Sequence, residues 1–145
     1  VENKICFTVY AEPVPKARAR TFFNKKMGRV MSYTPKETMY YENLIAATAA
    51  QHRPKDGLIA GPVKLTLRIY RDIPKSMPKK NILLALAEKL LPITKPDSSN
   101  VLKSVEDALN GIIYHDDNQI CDHDIKKRYS NTPRIEVEIE WEGGK

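Results

Sequence analysis

The sequence predicts an α+β fold: a mixed, mostly antiparallel β-sheet of four to five strands packed against about three helices. Three observations predict it. Val63–Tyr70 (VKLTLRIY) alternates apolar and polar residues, as a half-buried strand does. Thr34–Gln51 carries apolar residues at helical spacing behind a helix-start signal. A segment from Ser98 or Ser99 to Asn110 splits into one apolar arc and one polar strip when wound as a helix. No linker, internal repeat or low-complexity stretch interrupts the chain, so one domain over residues 1–145 is expected.

The elements follow in order. Lys4–Tyr10 is rich in β-branched and aromatic residues and reads as a strand, broken by the two prolines of Glu12–Pro15. Lys16–Arg29 is a basic loop or hairpin, with Val30–Tyr33 as a short returning strand. Thr34-Pro35-Lys36-Glu37 has the form of a capping box, with Pro at the first helical position. Tyr41, Leu44, Ile45 and Thr48 then form the buried face of a helix running to about Gln51, and His52 suits a cap at its end. Lys79–Leu91 reads as a second amphipathic helix through Ile82, Leu83, Leu86 and Leu90, interrupted by Pro92 and Pro96. The third helix ends at Asn110-Gly111, where glycine supplies a left-handed stop. Ile120–Tyr129 and Arg134–Trp141 are two further strands, expected to be antiparallel neighbours across Ser130–Pro133.

Composition bounds the function. A chain of 145 residues buries a sufficient core without disulfides. Cys6 and Cys121 have no framework or CxxC spacing, so two reduced thiols are expected. No apolar run of about 18 residues and no signal-peptide pattern is present, which predicts a soluble, cytoplasmic protein with no membrane contact. The chain opens at Val1 rather than Met, as expected if a residue or two has been removed. Gly-rich phosphate loops and GxSxG are absent, which leaves nucleotide triphosphatase and serine hydrolase readings without support. A net charge of +6 and a pI near 9.3 favour an anionic partner, nucleic acid being the commonest.

The charge is segregated. Lys16, Arg18, Arg20, Lys25, Lys26 and Arg29 place six cations within fourteen residues, and no acid lies between Glu12 and Glu37. Such a segment can neutralise several phosphates. Phe22 and Phe23 in its middle are either tucked into the core or exposed to stack on unpaired bases. Asp97–Asp124 is the opposite: seven acids (Asp97, Glu106, Asp107, Asp116, Asp117, Asp122 and Asp124) against one cation, Lys103. Carboxylates repel phosphate unless a divalent cation lies between them, so cationic flanks around an acidic centre are the charge layout of a metal-dependent nuclease.

On the third helix, Val101, Leu102, Val105, Ala108 and Leu109 fall within an arc of about 120° and form the core face. Ser99, Lys103, Glu106 and Asn110 share a polar strip of about 60°, with Asp107 beside it. Asp97 precedes the helix and suits a cap, a metal ligand, or both. Lys103 either serves phosphate beside a metal or pairs with Glu106 or Asp107 along the helix. His115, Cys121 and His123 lie near these acids, but their spacing fits no zinc arrangement.

The stretch Lys95–Ile120, KPDSSNVLKSVEDALNGIIYHDDNQI, resembles the core signature of the RusA family of Holliday-junction resolvases. The signature has a P-D-x-D-N segment, a Lys three residues after the Asn, a D-A-L-N-G helix end and a D-D-x-Q segment before a strand. Asp97, Asn100, Lys103, Asp107–Gly111, Asp116, Asp117 and Gln119 match. PVPKARAR, YTPKETMYYE and KKRYSNTPRIEVEI resemble the family's opening and close more loosely, so the likeness spans nearly the whole chain. The resemblance implies a homodimer that binds four-way DNA junctions and nicks two strands symmetrically with Mg²⁺ or Mn²⁺. It places the catalytic aspartates on Asp97 and Asp117 and the essential lysine on Lys103. Asp107, Asp116 and Glu106 are further candidate metal ligands, and Lys95 and Asn100 join the basic segment as DNA contacts. A homodimer has a separate argument: two strands must be cut, and a chain of 16.5 kDa carries one such site. The family's setting is bacterial or phage DNA, including prophage, at the nucleoid.

One position departs from the signature: Ser99 stands where the family has a second aspartate. The site thereby lacks one unit of negative charge. Glu106, about two turns on and able to lean toward the N-terminus, is one compensation. Asp107 or Asp116 is a second. A protein that holds junctions without cutting them, or cuts slowly, is the third. A general metal-dependent nuclease without junction preference is a weaker alternative.

Overall fold

The computed structural model describes residues 2–142. A four-stranded sheet carries the fold: β1 (Glu2–Val9), β4 (Val63–Arg71), β5 (Ile120–Tyr129) and β6 (Arg134–Glu142), in the order β1-β6-β4-β5. β6 is antiparallel to both β1 and β4, whereas β5 runs parallel to β4. β2 (Arg20–Asn24) and β3 (Arg29–Tyr33) form a separate two-stranded ribbon. The helices are α1 (Lys36–Ala50), α2 (Lys79–Leu86) and α3 (Ser98–Leu109), with a single 3₁₀ turn at Asp117–Gln119. The expected α+β architecture of three helices and a mixed, mostly antiparallel sheet is present.

The core lies on one side of the sheet. Register stacks Phe7, Val137 and Leu67 in one row across it, and Val9, Ile135 and Ile69 in the next. Tyr41, Ile45 and Ala49 of α1 and Val101, Val105 and Leu109 of α3 cover these rows, and all are buried. The predicted faces of α1 and α3 are therefore inward. Ser104 joins the α3 face, buried with its hydroxyl donating to Val14 O at 3.4 Å. His52 Nδ1 lies 3.1 Å from Thr48 O, in the expected capping position.

Three expectations are corrected. β5 and β6 are not neighbours, because β4 lies between them. β4 is buried at five of its nine positions, so it needs a hydrogen-bonded partner on each edge, whereas β5 has mixed exposure suited to an outer strand. The Ser130–Pro133 turn instead crosses the end of β4, where Ser130 N donates to Arg71 O at 2.9 Å. The capping box at Thr34 does not form. Pro35 itself occupies the cap position with extended backbone, and no side chain caps the helix. Thr34 is thereby moved one place too far out.

The second helix ends at Leu86, five residues short of Leu91. Glu88 adopts a positive φ of 60°, and the Glu88 and Lys89 amides donate to Ala85 O and Leu84 O, which closes the helix as a Schellman motif without glycine. Its carboxylate meets Arg128 on β5 at 3.1 Å, which ties the helix end to the sheet. Since α2 covers only the edge strand, Ala85 is its one buried residue, and Leu83 and Leu86 remain 70% and 43% exposed.

The opposite sheet face is a charge ladder. Arg68 on β4 bridges Glu136 at 2.9 Å and Glu138 at 3.3 Å on β6, and Lys4 on β1 reaches Glu138 at 3.3 Å. Burial alone would raise the Glu136 pKa, but hydrogen bonds from Arg68 and Arg134 outweigh it and hold the group low. Glu138 is held low first by its hydrogen bond from Arg68. A carboxylate with a depressed folded pKa contributes stability above its unfolded pKa and loses it as pH falls through the folded value. Urea unfolding from pH 7 downward should therefore show stability falling as pH drops below 4.5, the ordinary glutamate value. Arg68→Met should lower stability at pH 7 by on the order of 1 kcal/mol and flatten that acid-side fall.

Candidate active site

The acids of the third helix gain their positions from both helix ends. At the N-terminus Asp97 is the cap: its Oδ1 accepts from Ser99 N at 2.9 Å, Ser99 Oγ at 2.6 Å and Asn100 N at 3.4 Å. The Ser99 hydroxyl is the first cause of a carboxyl held below its ordinary range. Ser99 thus anchors the neighbouring acid, and its own oxygen is directed at that acid.

At the C-terminus, Gly111 with φ 76° turns the chain, and Tyr114 buries its ring and donates its hydroxyl to Glu106 O at 2.9 Å. The following 3₁₀ turn is locked by Gln119. Its side-chain oxygen accepts from His115 N and Asp116 N, and its amide donates to Ile59 O at 2.7 Å and Gly61 O at 3.0 Å. Asp116 caps this turn by accepting from Asn118 N at 2.8 Å. Asp117 is thereby presented to α3, where Asn110 Nδ2 donates to it at 3.5 Å.

A row of alternating charges results. Lys103 Nζ lies 3.3 Å from Asp107 and 3.8 Å from Asp117. The other oxygen of Asp107 lies 3.3 Å from Lys16 Nζ, which also pairs with Glu42 of α1. Glu106 extends across to β5, where its Oε2 is 3.3 Å from His123 Nε2. Asp107 first, then Asp117 and Glu106, raise the Lys103 pKa. Burial first, then Glu106, Asp117, Asp107 and Asp116, push the Tyr114 hydroxyl far above its ordinary value. The four acids of residues 106–117 therefore share one electrostatic neighbourhood.

The donor chemistry suits a hard divalent cation. Asp107 and Asp117 offer carboxylate oxygens, and Asn110 Oδ1 is buried with no hydrogen-bond partner. Among the described residues no three carboxylate, imidazole or thiol groups form a closed ligand set. Mg²⁺ does not require one, since it is commonly held by one or two carboxylates with waters and phosphate oxygens completing the shell.

The sequence-predicted residues thus separate. Asp107, Asp117, Lys103 and Glu106 come together. Asp97 lies at the far end of α3, with Lys127 of β5 as its neighbouring cation. Asp116 serves the turn. Arg18, Arg20, Lys25, Lys26, Arg29 and Lys95 are exposed, whereas Lys16 is half-buried between two carboxylates. Asn100, itself exposed, accepts from Lys16 N at 2.8 Å through its backbone carbonyl. Sequence reasoning weighed His123 only as a zinc ligand and missed its contact with Glu106, the orphaned oxygen of Asn110 and the structural use of Lys16. Only His123 carried a signal: in register with Leu65 and Ile139, it occupies a helix-facing position of β5.

No helix among the described residues is long and apolar enough to cross a membrane. Both cysteines are free and exposed. Replacing Lys16 by Met would remove the cation that Glu42 and Asp107 share and leave Asp107 with Lys103 alone. The expected cost in urea unfolding is about 1–3 kcal/mol, with part recovered by adding Glu42→Gln.

The sequence profile of the family described as endodeoxyribonuclease RusA matches residues 11–140. A protein of Bacillus subtilis (strain 168), named uncharacterized protein YqaN, is 43% identical over 137 residues, covering 93% of this chain and 94% of that one. With its acids, lysines and basic ribbon in this arrangement, the chain belongs to the RusA endodeoxyribonuclease family.

Proposed function

We propose that the protein is a metal-dependent endodeoxyribonuclease that resolves four-way DNA junctions by paired symmetric nicks, acting as a homodimer on bacterial or phage DNA. The observation that carries the reading is the meeting of Asp107, Asp117 and Lys103 beside the root of a cationic ribbon, in a chain of this family.

Asp117 and Asp107 are the residues that would hold Mg²⁺ or Mn²⁺, and Asp97 is the family's further catalytic acid. When bound, such a cation supplies an activated water and stabilises the leaving oxygen of a phosphodiester. The chain's own residues do the rest. Lys103 carries positive charge to the place where a scissile phosphate must approach two carboxylates. Arg18, Arg20, Lys25, Lys26, Arg29 and Lys95 take flanking phosphates. The Gln119 lock fixes Asp117 relative to α3, so the acids are preorganised rather than gathered on binding. Two copies supply the two sites that symmetric nicking needs.

Ser99 favours a second reading, a protein that holds junctions and cuts weakly or not at all. Its hydroxyl is directed at Asp97 and brings no charge to the site. An end-labelled four-way junction in Mg²⁺ separates the two. Paired nicks should appear with the parent, fall at least about 100-fold with Asp117→Asn, and fall with Glu106→Gln if that acid compensates for Ser99. Tight binding without nicks in Mg²⁺ or Mn²⁺ would establish the binder. Ser99→Asp restores a carboxylate and should tighten Mn²⁺ binding by about tenfold in calorimetry.

Binding itself should be strongly salt-dependent. If the five exposed cations of residues 18–29 each meet a phosphate, log K should fall against log[salt] with a slope of about −4 to −5. Replacing Lys25 and Lys26 by Ala should reduce that slope by about 2.

A further inference from the structure

We infer that the β2–β3 ribbon is a wedge that stacks on unpaired bases at the branch point of the DNA junction. This rests on the resolvase reading and names the part of the substrate that the ribbon recognises.

The ribbon is built to project. Its register pairs Phe22 with Met31 and Phe23 with Val30, so these two phenylalanines, adjacent in sequence, face opposite sides. Yet Phe22 is 46% exposed, Phe23 61% and Val30 66%, so neither side of the ribbon is covered by the other described residues. An isolated two-stranded ribbon in water is marginal, and apolar rings on both sides call for a partner. The turn is well made: the Asn24 side chain accepts from Lys26 N and Met27 N, and Gly28 with φ 65° donates to Asn24 O. Tyr33 braces Phe22 edge-on at 6.0 Å.

The charge identifies the partner. Arg18, Arg20, Lys25, Lys26 and Arg29 surround the rings, with no acid between Glu12 and Glu37. Cations beside exposed aromatic faces match phosphates beside unstacked bases. The root identifies the place. Lys16 N donates to Asn100 O at 2.8 Å, and Ala17 N lies 3.3 Å from Thr38 Oγ1, so the ribbon departs from the first turn of α3. Phe22 and Phe23 lie six and seven residues beyond Lys16, so the chain lets the rings stand at most roughly 25 Å from the root beside the acids. Duplex DNA offers stacked bases only, whereas a branch point offers faces to stack on.

The test uses the full chain carrying Asp117→Asn, to bind without cutting, and four-way junctions with 2-aminopurine either at the branch or ten pairs into one arm. Binding should change fluorescence severalfold at the branch and little in the arm. Phe22→Leu with Phe23→Leu keeps apolar volume but removes the rings. It should abolish the branch response and weaken junction binding by about tenfold, while linear-duplex affinity stays within about twofold. Circular dichroism checks that this pair folds. An unchanged branch response, or equal losses on junction and duplex, would overturn the wedge alone. So would sedimentation showing that the pair turns a dimer into monomers, since the ribbon would then cover a second copy. A parent that binds junction and duplex equally would overturn the resolvase reading and the wedge together.

Discussion

Asp107 is gripped by two lysines at once, Lys103 from one turn back on its own helix and Lys16 from the segment that leads to the ribbon. The site depends on this arrangement. Four acids of residues 106–117 act on the same Tyr114 hydroxyl, and like charges gathered in this way repel one another. The two lysines offset that repulsion in the protein by itself, and His123 lies within hydrogen-bond distance of Glu106. The lysines' ion pairs also hold Asp107 and Asp117 in one arrangement about Lys103. Lys16 does more than neutralise: its bond to Asp107 and its pairing with Glu42 tie α1, α3 and the base of the ribbon into one unit.

The sheet explains why this unit lies where it does. With β4 buried at the centre and β5 outermost, the helix-facing positions of β5 lie near the margin of the apolar core. They include Ile120, His123, Ile125 and Lys127, and the polar His123 and Lys127 stand on either side of Ile125. His123 meets Glu106, and Lys127 reaches Thr94 O at 2.7 Å and Pro96 O at 3.0 Å, just before Asp97. Strand β5 therefore supports both ends of α3 through polar contacts and leaves its acids on the accessible side. On the central strand β4 the same face carries Leu65, Leu67 and Ile69, all fully buried, and would have had no place for these side chains.

Much of this was legible in the sequence, and the failures have physical causes. Local periodicity located α1, α3, β4, β5 and β6, because each has one face against the core. It could not order the strands. Chain proximity suggested β5 beside β6, yet the apolar run of β4 required the middle place. The leucines of the second helix suggest a buried stripe running to Leu91, but α2 lies over an edge strand and stops at Leu86. The acids around Lys103 were visible as a charge reversal. The pairing of Lys16 was not, since six cations in one segment look alike until folding buries one of them. Nor could spacing show that Asp116 and Gln119 complete a turn whose purpose is to aim Asp117.

Helix α3 shows how one segment meets two demands. Its apolar arc, extended by Ser104, holds the core, and this fixes the rotation of the helix about its axis. Rotation in turn decides which way Lys103, Glu106, Asp107 and Asn110 point. Its N-terminus is fixed separately by Asp97, whose Oδ1 takes three hydrogen bonds, one of them from Ser99 Oγ. An aspartate at position 99 would bring a second negative charge where Ser99 now brings a donor. The exchange trades charge for order: the remaining carboxylate is held low and in one orientation, at the cost of one potential ligand. The cap itself gains from the serine, since a hydroxyl donor supports an ionised Asp97 and a carboxylate would oppose it.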